Sequence, residues 1–196
     1  MQKWTVIKMS KSVLISIQPK WCKLIASGRK IVEVRKSCPK LKPPFKVYIY
    51  CTRGKGNDRN SLLYCSRNYG ILTTKKSYAD FLIGRGHTIL SKKIIGEFIC
   101  DKIYRYSTSL AFQSDNDIST EEIVNRSCLS EIELFKYEYP TTSKEFGVIK
   151  VGLFAWNISD LVIYDTPKEL SELDKTKPPQ SWCYVYESGD KNAEMS

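Results

Sequence analysis

Residues 28–35 read Gly28-Arg29-Lys30-Ile31-Val32-Glu33-Val34-Arg35. Upstream, Lys20 to Ser27 carries Trp21, Leu24 and Ile25 at i, i+3 and i+4, one apolar face of a short helix. Pro19 suits its first turn, where a missing N–H costs nothing, and Gly28 suits its C-terminal stop. Ile31 to Lys36 is rich in β-branched residues and reads as a strand. On that strand Glu33 and Arg35 share one face, and Val32 and Val34 share the other. Lys30 falls at the turn between helix and strand. A carboxylate held between two cations stays ionised and fixed in place. Such a cluster orients a polar ligand or binds phosphate through its cations. A purely structural ion-pair cluster is the competing reading, since surface salt bridges are common.

Working outward, Val13 to Ile17 reads as a buried strand and Lys46 to Thr52 as another, after a loop marked by Pro39, Pro43 and Pro44. Ile94 to Ile103 reads as one strand. Two short helices follow, each opening on a capping box: Ser119 with Glu122, and Ser130 with Glu133. Val148 to Trp156 and Leu161 to Tyr164 read as strands. Thr166-Pro167-Lys168-Glu169 predicts another short helix with Pro at its first position. Ser181 to Tyr186 is a last strand, and the polar tail from Glu187 is expected to fray. Strands dominate and helices are few. The fold class is α+β, a small mixed β-barrel with short helices closing its ends. The expected organisation is a single domain over 1–190, a basic insertion at about 53–93 and a polar tail over 187–196.

The 196 residues are enough for one domain with a real core, and 42% of them are hydrophobic, too many for a disordered chain. The longest uncharged apolar stretches fall short of the roughly 18 residues of a membrane span, and lysines interrupt every apolar run near the N-terminus. A cytoplasmic protein is expected. The seven cysteines include no close pair, and His87 is the one histidine, so no metal and no other cofactor is expected. The formal charge of +10 conceals an asymmetry. Residues 1–100 hold 21 Lys/Arg against 4 Asp/Glu, and residues 101–196 hold 10 against 17. The basic half points to a polyanionic partner, nucleic acid first. Within the insertion, Arg53-Gly54-Lys55-Gly56 and Gly84-Arg85-Gly86-His87 suit a phosphate backbone, and the segment predicts one or two hairpins.

The pattern Gly-x-Lys-x-x-Glu-x-Arg, preceded by Ser16-Ile17-Gln18-Pro19, resembles an ASCH domain of the PUA-like superfamily. Ile95-Gly96-Glu97-Phe98 fits the same resemblance. Phe154-Ala155-Trp156-Asn157-Ile158-Ser159-Asp160-Leu161 and Pro178-Pro179-Gln180-Ser181-Trp182-Cys183-Tyr184 look like ASCH proteins of phage and prophage regions in Gram-positive bacteria. The resemblance implies a PUA-like barrel, a cleft beside the motif and an RNA-related role. Some relatives are enzymes, among them a ribonuclease and an amidohydrolase acting on acetylated cytidine. In that amidohydrolase a Lys, a Thr and a Glu act. Lys30 matches the Lys, Glu33 stands where the Thr would be, and Glu97 is a weak candidate for the third.

Two functions follow. In the first, RNA, another nucleic acid or a nucleotide binds in a cationic cleft. Lys20, Lys30, Arg35 and Lys36 contact phosphate or base, and Glu33 accepts from an exocyclic amine. Trp156 and Trp182 offer stacking faces, while Trp21 belongs to the core; Arg53 and Lys55 extend the basic surface. In the second, the same cleft is an active site on RNA or modified nucleosides, with Lys30 and Glu33 catalytic. The acidic half leaves room for a protein partner. No membrane association is expected.

Overall fold

The computed structural model describes residues 10–53, 64–65, 88–109, 116–139 and 152–187. Lys55, His87, most of the 53–93 segment, residues 148–151 of an expected strand and the tail beyond 187 lie outside the described residues. The chain is mixed α+β and divides into two compact units. The first comprises residues 1–19, 45–97 and 162–196, and the second residues 20–44 and 98–161.

The first unit is built on a five-stranded sheet. Its strands are β1 (Ser10–Ile17), β3 (Phe45–Cys51), β6 (Lys93–Cys100), β9 (Ser159–Lys168) and β10 (Trp182–Glu187), in the order β10-β1-β3-β6-β9. β1 runs antiparallel to β10 and parallel to β3, with Val13 opposite Val47 and Ile17 opposite Cys51. Near-continuous apolar runs such as Val13-Leu14-Ile15 are buried on both faces, as expected for central strands. Leu14, Tyr48, Tyr50, Ile94 and Val185 form a core cluster against which Leu170 and Leu173 of a 3-10 helix (Leu170–Leu173) pack. Gly96 lets β6 and β9 approach closely: a Cβ there would lie 2.3 Å from the Val162 carbonyl oxygen. Two short strands, β4 (Tyr64–Cys65) and β5 (Thr88–Ile89), pair antiparallel.

The second unit holds helix α1 (Pro19–Ala26), strands β2 (Val32–Arg35), β7 (Ile103–Tyr106) and β8 (Leu153–Asn157), and helices α2 (Thr120–Ser127) and α3 (Glu131–Glu138). The three strands form an antiparallel sheet in the order β2-β8-β7. Val32, Val34, Leu153 and Ala155 of this sheet join Ile123 of α2 and Leu134 of α3 in one core cluster. Helices α2 and α3 begin as the sequence requires. Ser119 and Ser130 cap them, each accepting from the backbone N–H of the Glu three residues on, with the reciprocal carboxylate bond also made.

Three expectations are corrected. The stretch from Ile94 to Ile103 is two strands, broken at Asp101-Lys102. Pro167 does not open a helix; it lies within β9, and the following turn is a 3-10 helix capped at Glu169. Proline supplies no N–H to a ladder, which confines it to edge positions, and β9 is the edge of its sheet. Glu187 does not begin a frayed tail. It pairs with Ser10, accepts from Ser12 Oγ at 2.7 Å and meets Lys46 Nζ at 3.3 Å. Among the described residues, no helix is long and apolar enough to cross a membrane, and no group of three or more His, Cys, Asp or Glu could hold a metal ion.

Candidate functional site

Gly28 ends α1 with φ +71°, a conformation that side chains disfavour, and its N–H donates to the Ile25 carbonyl at 2.8 Å. The N–H groups of Arg29 and Lys30 both donate to the Leu24 carbonyl at 3.0 Å. The turn then delivers Lys30 to the C-terminal end of α2. The Ile31 N–H donates to the Arg126 carbonyl at 2.9 Å, and Lys30 Nζ donates to the Ser127 carbonyl at 2.8 Å. The end of α2 presents unpaired carbonyls and partial negative charge, so an ammonium there is favoured.

Lys30 is 2% exposed, Glu33 6% and Arg35 9%. Glu33 Oε1 lies 3.0 Å from Arg35 Nη2, and Glu33 Oε2 lies 3.3 Å from Lys30 Nζ. Oε2 accepts no hydrogen bond, so its attraction to Lys30 is Coulombic. The three side chains form a buried triad with one net positive charge. Removing one partner from such an arrangement costs about 3–5 kcal/mol, because it strands a desolvated charge.

The flanking cations are exposed. Lys20 Nζ sits 3.8 Å from Glu133 Oε1 and 4.1 Å from the Trp21 ring, which Lys30 Nζ also approaches at 5.1 Å. Trp21 is half-buried and not a full core residue. Lys36 Nζ lies 5.4 Å from the Tyr137 ring. The Ser130 backbone N–H, assisted by its hydroxyl and by Lys20 and Lys30, holds the Glu133 carboxyl below the usual range. Burial pushes the Tyr137 hydroxyl up, Arg35 opposes that shift, Glu33 adds to it, and a backbone hydrogen bond from Lys36 lowers it.

Trp156 stands directly across from Glu33 on β8 and is fully buried, so no face of its ring is open to a ligand. Trp182 lies in the first unit, half-buried and edge-on to Tyr184 at 5.5 Å. Arg53 is exposed in the first unit. Glu97 is also there, 3.6 Å from Lys46 Nζ and hydrogen-bonded by the Tyr164 hydroxyl. The second unit therefore brings together Lys20, Lys30, Glu33, Arg35 and Lys36. Sequence reasoning missed Ser127, Glu133 and Tyr137. Of these only Glu133 had a signal, as the last residue of a capping box.

The crystal structure of ASCH from Zymomonas mobilis matches with a TM-score of 0.53 and 19% identity, over 88% of this chain and 86% of that one. A serine-to-alanine mutant of the same protein matches at 0.50 and 19%, over 88% and 87%. A tyrosine-to-phenylalanine mutant gives the same score and identity, over 89% and 90%. The chain has the ASCH fold. No protein-family model matches the sequence, and no curated protein matches it. In the ASCH fold of this chain, the Gly28 to Arg35 stretch is the turn and strand that carry the buried triad.

Proposed function

We propose that this chain binds RNA, or a nucleotide, on a PUA-like barrel, through the surface of the second unit around Gly28 to Arg35. The observation that supports this most is the buried triad. Burying two cations with one carboxylate is a poor route to stability, since apolar residues of equal volume do as well or better. A fixed positive charge in a unit that also exposes Lys20, Lys23, Arg29 and Lys36 is a sound way to attract phosphate. In this reading Glu33 is an internal brace that fixes Lys30 and Arg35, rather than an acceptor at the surface.

A second reading, an enzyme acting on RNA or a modified nucleoside, draws on one atom. Glu33 Oε2 is buried and accepts no hydrogen bond. Lys30, however, is 2% exposed and already engaged by the Ser127 carbonyl at 2.8 Å and Glu33 Oε2 at 3.3 Å, so it is not free to reach a substrate. Binding therefore stands first.

The test is binding of fluorescent single-stranded RNA, single-stranded DNA and duplex at two salt concentrations, with the oligonucleotides run on a gel afterwards. Binding that weakens with salt, leaves the RNA intact and falls in Lys36→Ala supports the reading. Cleavage of the RNA moves the enzyme reading ahead. No binding at either salt refutes the RNA reading and makes free nucleotides and nucleosides the next probes.

A further inference from the structure

The reading above, on which this inference rests, does not distinguish paired from unpaired strands. We infer that the second unit is built for single-stranded nucleic acid, with unpaired bases stacking on Trp21 and Tyr137, two rings that each carry an exposed lysine. Trp21 adjoins Lys30, whose ammonium lies 5.1 Å from its ring. Tyr137, on α3, faces Lys36, the residue directly after β2, whose ammonium lies 5.4 Å from its ring.

Both rings are partly open: Trp21 is half-buried and Tyr137 is 37% exposed. Each carries an exposed lysine on it, Lys20 at 4.1 Å from Trp21 and Lys36 at 5.4 Å from Tyr137. A base stacked on an aromatic ring is held more firmly than an exposed lysine over that ring. An arriving base therefore displaces the ammonium, and the freed lysine is left within reach of the phosphate of the same nucleotide. Lys20 must also leave Glu133, at 3.8 Å, an exposed pair that is easily given up. Bases in a duplex have both faces covered by their neighbours and cannot reach either ring. Phosphate contact alone would serve a duplex equally well, so the aromatic pairings are what select the unpaired strand.

The experiment measures anisotropy of a labelled oligo(A) RNA strand against the parent chain, Tyr137→Leu, Tyr137→Phe and Trp21→Leu. A hairpin duplex and inorganic polyphosphate are run as parallel probes. Tyr137→Leu and Trp21→Leu are each expected to lose about 5- to 150-fold in single-strand affinity, with polyphosphate binding unchanged. Tyr137→Phe keeps the ring and is expected to bind within about threefold of the parent. Because Tyr137 is on the surface, its variants test stacking even where Trp21→Leu fails to fold. If the parent binds duplex as tightly as single strand, or Tyr137→Leu binds like the parent, the inference fails while nucleic-acid binding stands. If the parent binds none of the three probes, the underlying reading fails with it.

Discussion

Glu33→Ala tests the buried triad directly. The substitution removes the carboxylate that faces Arg35 Nη2 at 3.0 Å and Lys30 Nζ at 3.3 Å, where both cations are at most 9% exposed. Lys30 retains the Ser127 carbonyl, but two like charges then sit in a dry pocket without their counter-ion. The expected cost is about 3–5 kcal/mol. Glu33→Gln keeps an acceptor for Arg35 and loses only the charge, so its cost is expected near about 1.5–3 kcal/mol, the range for hydrogen bonds to charged groups. A triple variant, Lys30→Met with Glu33→Leu and Arg35→Met, removes the charges together. Apolar replacement gains about 1–4 kcal/mol, and the Ser127 carbonyl left unpaired costs about 1–3, so the triple is expected near the parent. Urea unfolding followed by both tryptophan fluorescence and far-UV circular dichroism reads these differences, with agreement of the two signals testing two-state behaviour. A Glu33→Ala cost under about 1 kcal/mol would mean that the carboxylate is hydrated like a surface pair, and the reasoning fails. It also fails if the triple is as unstable as Glu33→Ala, for then packing and not stranded charge sets the cost.

Gly96→Ala drives a Cβ to 2.3 Å from the Val162 carbonyl oxygen, a backbone atom that cannot swing aside. A loss of about 1–3 kcal/mol or more is expected, read as a fall in the thermal midpoint. Ser130→Ala removes the α3 cap and is expected to cost about 1 kcal/mol by urea unfolding. The same serine lowers the Glu133 carboxyl in the folded chain, so that contribution is present above the unfolded carboxyl value and fades as pH falls through the lower folded value. Stability measured on the acid side is therefore expected to fall less steeply in Ser130→Ala than in the parent. Burial pushes the Cys100 thiol up to about 12, so iodoacetamide near about pH 8 is expected to leave it unmodified until urea is added, as peptide mass spectrometry would show.

The local elements were legible because local rules govern them. Pro19 and Gly28 bracket α1 within a residue or two, and both capping boxes stand where Ser119 and Ser130 predicted. The alternation in β2 placed Glu33 with Arg35 and Val32 with Val34 correctly. What alternation does not reveal is how deep a face lies. The charged face of β2 suggested a surface ion pair, whereas all four of its residues are buried. That depth comes from α2, whose terminal carbonyls receive Lys30 from 97 positions earlier in the chain. Nothing in residues 28–35 encodes that contact. Trp156 was misread for the same reason: its strand was evident, but its full burial opposite Glu33 depends on the β2-β8 register. Pro167 misled because a proline before Lys-Glu suits a helix start as well as an edge strand, and only the sheet order decides between them.

The pairing of β1 with β10 bears on how the chain is made. Ser12 and Glu187, joined by a hydrogen bond, are 175 residues apart. During synthesis β1 is therefore made early, and the strand that covers one of its edges emerges only after nearly all the residues between them. For that interval Val13, Leu14 and Ile15, fully buried in the finished sheet, have no β10 beside them. Unpaired apolar edges recruit foreign strands, and contacts of such high sequence separation form slowly. Early release of the nascent chain, or a stop codon ahead of Trp182, would thus leave a sheet with an open, sticky border. Such a product is better suited to aggregation than to partial activity.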